Sequence, residues 1–160
     1  MPMISLTAAD GFRLQAYRTG PQDAARALVV TQEIFGVNHH IRKLCDDFAA
    51  AGYAVIAPQL FDRAERDVEL GYDAADLARG RELRGKIDAG KTVLDILAAA
   101  AALPRQAKRG IVGYCWGGTV AWHGATRSSA FSASVGWYGG GIAAAKDEVP
   151  NCPTQLHFGE

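Results

Sequence analysis

The chain has 160 residues, 49% of them hydrophobic, and its seventeen basic side chains balance seventeen acidic ones. That length and apolar content support one domain, residues 1–160, with a sizeable core. The charge balance leaves no basic field to recruit nucleic acid or anionic lipid, and no run of about 18 apolar residues offers a membrane span. A small molecule is the expected partner.

Three cysteines, Cys45, Cys115 and Cys152, make an odd count without a CxxC pair or a His/Cys cluster at zinc spacing. Neither a disulfide framework nor a metal site is expected, and a reducing cytoplasm is the simplest setting. Met1-Pro2-Met3-Ile4-Ser5 lacks the basic and apolar segments of a secretory signal.

Residues 3 to 18 read as two short strands around Ala9-Asp10-Gly11, because Asp-Gly between alternating apolar positions favours a hairpin turn. Ala27 to Thr31 is a continuous apolar run, the pattern of a strand buried on both faces, and it runs into the loop Gln32-Glu33-Ile34-Phe35-Gly36. Ile41, Leu44, Cys45 and Phe48 then fall on one helical face, which makes Cys45 a core residue, and Gly52 stops the helix. Tyr53 to Ala57 is a second buried strand closed by Pro58.

Gln59 to Gly90 is charged and weakly periodic, and reads first as solvated surface, with a lid or substrate rim as the alternative. Val93, Leu94, Ile96, Leu97, Ala100 and Ala101 mark an amphipathic helix before Pro104. Strands follow at Gly110 to Gly113, Ser132 to Tyr138 and Thr154 to Gly159, with a helix from Trp116 to about Thr126. Strands alternating with helices predict a mostly parallel sheet wrapped on both faces.

Gly113-Tyr114-Cys115-Trp116-Gly117-Gly118 carries the chemistry. Gly113 and Gly117 flank Cys115 at two positions on either side, as a sharp strand-to-helix turn requires, and Gly118 follows. Such a turn lifts the sulfur above the sheet edge and sets it at a helix N-terminus, where partial positive charge favours thiolate. A buried cysteine in a Gly-rich turn is the bland alternative.

Together with Gln32-Glu33-Ile34-Phe35-Gly36-Val37-Asn38 and Gly52-Tyr53-Ala54-Val55-Ile56-Ala57-Pro58, this segment resembles the dienelactone hydrolase family of α/β hydrolases. The resemblance implies an α/β-hydrolase fold acting on an ester or lactone, with no metal or organic cofactor. It implies Cys115 as nucleophile, passing through a thioester, and Glu33 as the carboxylate governing its proton. The backbone N–H groups of Ile34 and Trp116 would form the oxyanion hole. Phe35, Trp116, Trp137 and Tyr138 are candidate pocket walls, with core packing as their alternative.

The family completes its triad with an aspartate in His-x-Gly-x-x-Asp and a later histidine. His157-Phe158-Gly159-Glu160 matches the start of that segment, and the aspartate would fall two residues past Glu160. The expectation is therefore a C-terminally truncated hydrolase of about two-thirds length, without its triad acid and base, inactive alone and able to self-associate through uncovered apolar surface. His39 and His40 are expected to be exposed, His123 to lie two turns into the elbow helix, and His157 to pack in a strand. Two other readings stay open: a non-catalytic binding remnant, and a flavodoxin-like cysteine-elbow protein of amidotransferase-like or redox-stress type.

Overall fold

The structure, a computed structural model, describes residues 2–159. Two strands, β1 (Met3–Thr7) and β2 (Arg13–Thr19), form the antiparallel hairpin predicted from Asp10-Gly11, with Gly11 at φ 85 in the turn. The other strands are β3 (Arg26–Thr31), β4 (Ala54–Pro58), β5 (Lys108–Tyr114), β6 (Ala133–Trp137) and β7 (Thr154–His157). They join one seven-stranded sheet in the order β1-β2-β4-β3-β5-β6-β7, parallel from β4 onward.

The helices are α1 (His39–Ala50), α2 (Ala74–Gly85), α3 (Ala89–Ala101) and α4 (Trp116–Arg127). Period-2 alternation in the central strands divides the core between the two faces of the sheet. Val29, Ile56 and Ile111 pack with Ile96 of α3 and Val120 of α4, while Val30, Val55 and Val112 pack with Ile41 and Cys45 of α1. Cys45 is a core residue as its spacing predicts, and burial pushes its thiol up to about 12.

The charged stretch from Gln59 to Gly90 is more ordered than its composition suggests. A short 3-10 turn, Leu60–Arg63, precedes α2, whose first turn is capped by Asp73 accepting from the Asp76 N–H at 2.8 Å. Only Gly80 and Leu83 of α2 are buried, so its apolar stripe is too narrow for the 3.6 period to show. A Cβ on Gly80 would run into the Ile34 carbonyl, which places α2 directly against the loop carrying Glu33.

Several charges in and beside this stretch are interior. Arg63 reaches fully buried Asp95 of α3 through Nε and Nη2, at 2.8 and 2.7 Å, and Asp10 of the hairpin turn at 2.9 and 3.1 Å. Lys91 adds a contact to Asp10 at 3.1 Å. The cluster ties hairpin, 3-10 turn and α3 together; burial raises the Asp95 carboxyl against the pull of Arg63.

Candidate active site

The site begins with register. β3 and β5 are neighbouring parallel strands in which Thr31 faces Gly113, so Glu33 and Cys115 each lie two residues past a matched pair. Both emerge at the C-terminal edge of the sheet, where open α/β folds place their ligands.

The turn after β5 is a sharp strand-to-helix elbow with Cys115 at its tip. Cys115 sits at φ 57 and ψ −123, a backbone conformation that costs a non-glycine residue about 1–3 kcal/mol, and that strain must be held by its surroundings. Its N–H donates to the Trp137 carbonyl at 2.9 Å, and its carbonyl accepts from the Gly118 N–H at 2.8 Å. Thr31 Oγ1 donates to the Gly117 carbonyl at 2.8 Å and tethers α4 to β3. The approach is close enough that a Cβ on Gly117 would overlap the Thr31 and Gln32 carbonyls, and one on Gly113 the Gly117 carbonyl. Gly118 lies equally tight against the Trp137 carbonyl. Cys115 itself is half-buried.

Glu33 is half-buried on a loop fastened from both sides. Gln32, fully buried, accepts the Leu60 N–H at 3.0 Å and donates to the Glu33 carbonyl at 3.2 Å. The Glu33 carboxylate accepts from the Tyr72 hydroxyl at 2.9 Å through Oε2, and Asn38 Nδ2 donates to that same hydroxyl at 3.3 Å. Tyr72 is absent from the sequence reading, and Asn38 enters it only as the last residue of the Gln32 to Asn38 segment. An aromatic side chain inside the charged run was the available signal for Tyr72; Asn38 is legible as the N-cap of α1, and its Oδ1 accepts from the Ile41 N–H at 3.2 Å.

The aromatic candidates separate by strand face and packing. Tyr138, half-exposed at φ 40, faces Glu33 and Cys115 closely enough that their charges, after burial, raise its phenol. Phe35 is buried, with its ring 4.5 Å from that of Tyr72. Trp116 stacks on Phe61 at 5.4 Å and packs beside Ile34 and Leu83. Trp137 does not join them: alternation turns its indole to the sheet face carrying Val112, Tyr114 and Val135, where it lies flat on His157 at 3.8 Å. Neither the Ile34 nor the Trp116 N–H donates to another protein group among the described residues.

The histidines fall as their sequence positions suggest. His39 and His40 are exposed at the start of α1, and His157 packs in β7. His123 is buried in α4, where burial lowers its imidazole and its Nδ1 has no partner among the described residues. Of the arginines in the charged run, Arg63 is held by Asp95 and Asp10, and Arg79 by Glu65 and Glu82. Arg81 and Arg84 are exposed, the latter lining a 390 Å³ cavity with Trp116, Thr119 and His123. No helix among the described residues is long and apolar enough to cross a membrane.

The dienelactone hydrolase family model matches residues 14–160. The chain belongs to the dienelactone hydrolase family. It is 33% identical over 164 aligned residues to carboxymethylenebutenolidase 1 of Cupriavidus pinatubonensis, covering 98% of this chain and 70% of that protein. A Methylorubrum extorquens protein assigned as a carboxymethylenebutenolidase is 31% identical over 150 residues, 89% of this chain and 50% of its own length. A Klebsiella pneumoniae crystal structure assigned as a dienelactone hydrolase superposes with a TM-score of 0.67 at 32% identity, covering 86% of this chain and 60% of that one. The chain thus spans about half the length of several curated relatives it matches. Family membership removes the flavodoxin-like alternative; the parallel strands β4-β3-β5-β6-β7 repeat the 2-1-3-4-5 order of that fold, and the antiparallel β1–β2 edge is what departs from it.

Proposed function

We propose that this chain carries the nucleophile and oxyanion machinery of a cysteine-dependent ester or lactone hydrolase. The observation that bears the reading is Cys115 at positive φ on an elbow beside Glu33, both fixed by the β3–β5 register. As substrate arrives, the thiol proton passes to the Glu33 carboxylate and Cys115 Sγ bonds to the acyl carbon. The carbonyl electron pair moves onto oxygen, where the Ile34 and Trp116 N–H groups receive it; each such donor is worth about 3 kcal/mol by analogy with measured deletions. Collapse expels the alkoxide or enolate, which takes up a proton, and leaves a thioester for water to cleave.

Phe35 and Tyr138 flank this path, and a dienelactone-like enol ester fits the family. Water must be activated for the last step. Acylation of Cys115 is the step that these residues carry, and it is the one to measure. The test is p-nitrophenyl acetate followed by mass spectrometry: an acetyl increment on the Cys115 peptide with a matching burst of p-nitrophenol supports the reading. Ligand binding without acylation favours a binding remnant instead.

A further inference from the structure

The segment 68–72 is held against the Glu33 loop more firmly than an exposed strap requires. Leu70 N–H donates to the Phe35 carbonyl at 2.9 Å, and Asn38 Nδ2 donates to the Leu70 carbonyl at 3.2 Å. Arg42 donates to the Val37 carbonyl at 2.7 Å and pairs with Glu69. Gly36, at φ 84, lies so close to the Val68 carbonyl that a Cβ there would collide with it. All these fastenings converge on Tyr72, which is nevertheless 57% exposed. Burial does not explain its placement; its ring leans on Phe35 and its hydroxyl reaches Glu33.

The type of donor matters. Among the described residues no arginine or lysine pairs with Glu33, and Tyr72 is its side-chain donor, on Oε2. A guanidinium would hold the carboxylate as an anion; a neutral hydroxyl orients it and leaves it able to accept a proton. Asn38 orients the hydroxyl in turn, giving the relay Asn38 Nδ2–H to Tyr72 Oη–H to Glu33 Oε2, rooted at the N-cap of α1.

We propose that Tyr72 is a positioning residue for Glu33: its hydroxyl, anchored on Asn38, fixes the direction of the carboxylate and thereby the ease with which Cys115 loses its proton. This rests on the reading of Glu33 as the acid beside the nucleophile. Substituting Phe for Tyr72 removes only the hydroxyl, because the ring contact with Phe35 is kept.

The test is the rate of iodoacetamide alkylation at the Cys115 peptide, measured by mass spectrometry between about pH 6 and 9, where thiolate fraction sets reactivity. It compares the wild-type 160-residue protein with Tyr72→Phe, Glu33→Gln and the double variant. Cys45, buried with a thiol near 12, reports an intact fold by staying unlabelled. The expected result is a roughly tenfold slower reaction in Tyr72→Phe with an altered pH profile, the size of one hydrogen bond to a charged group, and no added effect of Tyr72→Phe on Glu33→Gln. Equal slowing in both backgrounds would assign Tyr72 a merely structural role and overturn the proposal. So would an unchanged rate in Tyr72→Phe where Glu33→Gln alone has an effect. If Glu33→Gln leaves the rate untouched, the reading of Glu33 fails, and the positioning role falls with it.

Discussion

Two acids near the C-terminal edge of the sheet are treated in opposite ways. Asp95 is fully buried and gripped by the Arg63 guanidinium, which also holds Asp10. Glu33 is half-buried, and among the described residues its carboxylate takes a side-chain hydrogen bond from the neutral hydroxyl of Tyr72. A carboxylate clamped by a cation is an architectural joint, because moving it strands a buried charge. A carboxylate held by a neutral donor keeps its orientation and its capacity to take a proton. On the proposed function the same residue class serves cohesion in one place and chemistry in the other, and the partner decides which.

The contrast breaks most sharply if the two acids are neutralised in turn. Glu33→Gln is expected to lower the rate of Cys115 acylation by p-nitrophenyl acetate about 100-fold or more, the span of general-base contributions. Its unfolding free energy from urea titration should stay within about 0.5 kcal/mol of wild type, as for other changes outside the core. Asp95→Asn should do the reverse, lowering unfolding stability by about 3 kcal/mol in urea titration by leaving Arg63 without its buried partner, with the acylation rate little changed. An Asp95→Asn variant that kept its stability, or a Glu33→Gln variant that kept its rate, would dissolve the distinction.

Acid sharpens it further. The Arg63 and Lys91 contacts hold the Asp10 carboxyl well below its usual range, so its share of stability is present above the unfolded value near 4 and lost as pH falls below it. Burial raises the Asp95 carboxyl, so the folded chain takes up its proton before the unfolded chain does and acid costs no stability there, whereas Asp95→Asn replaces an acceptor oxygen with an amide NH2 facing the Arg63 donors. Asp10→Asn should therefore flatten the fall in thermal midpoint below about pH 4, and Asp95→Asn should not. The smallest effect belongs to His123. Burial lowers its imidazole, so below about pH 6.5 the unfolded chain binds a proton that the folded chain refuses, and stability falls with pH. In His123→Leu the drop in thermal midpoint between about pH 7.5 and 5.5 should be shallower.

Much of this was legible in the residue string. Asp10-Gly11 marked the hairpin, continuous apolar runs marked β3 and β4, and the glycines around Cys115 marked the elbow, because each imposes its local geometry without help. The Glu33 loop was legible through its segment. What escaped were pairings between distant parts of the chain. Arg63 and Asp95 lie on separate elements and look like ordinary surface charges until the fold buries them. Tyr72 lies 39 residues from Glu33, in a stretch whose polar character concealed both α2 and the strap. For Trp137 the sequence left pocket wall and core packing both open, because composition does not say which face of a strand a ring will take.

The parallel pairing of Thr31 with Gly113 has a kinetic side. It closes a loop of about 80 residues, a contact that forms late because chain entropy must be overcome before the sheet can compensate for it. Until β5 docks on β3, Glu33 and Cys115 belong to unrelated pieces of chain. Reactivity at Cys115 should therefore appear as one of the last events of refolding, so that the thiol reports the closing of the sheet.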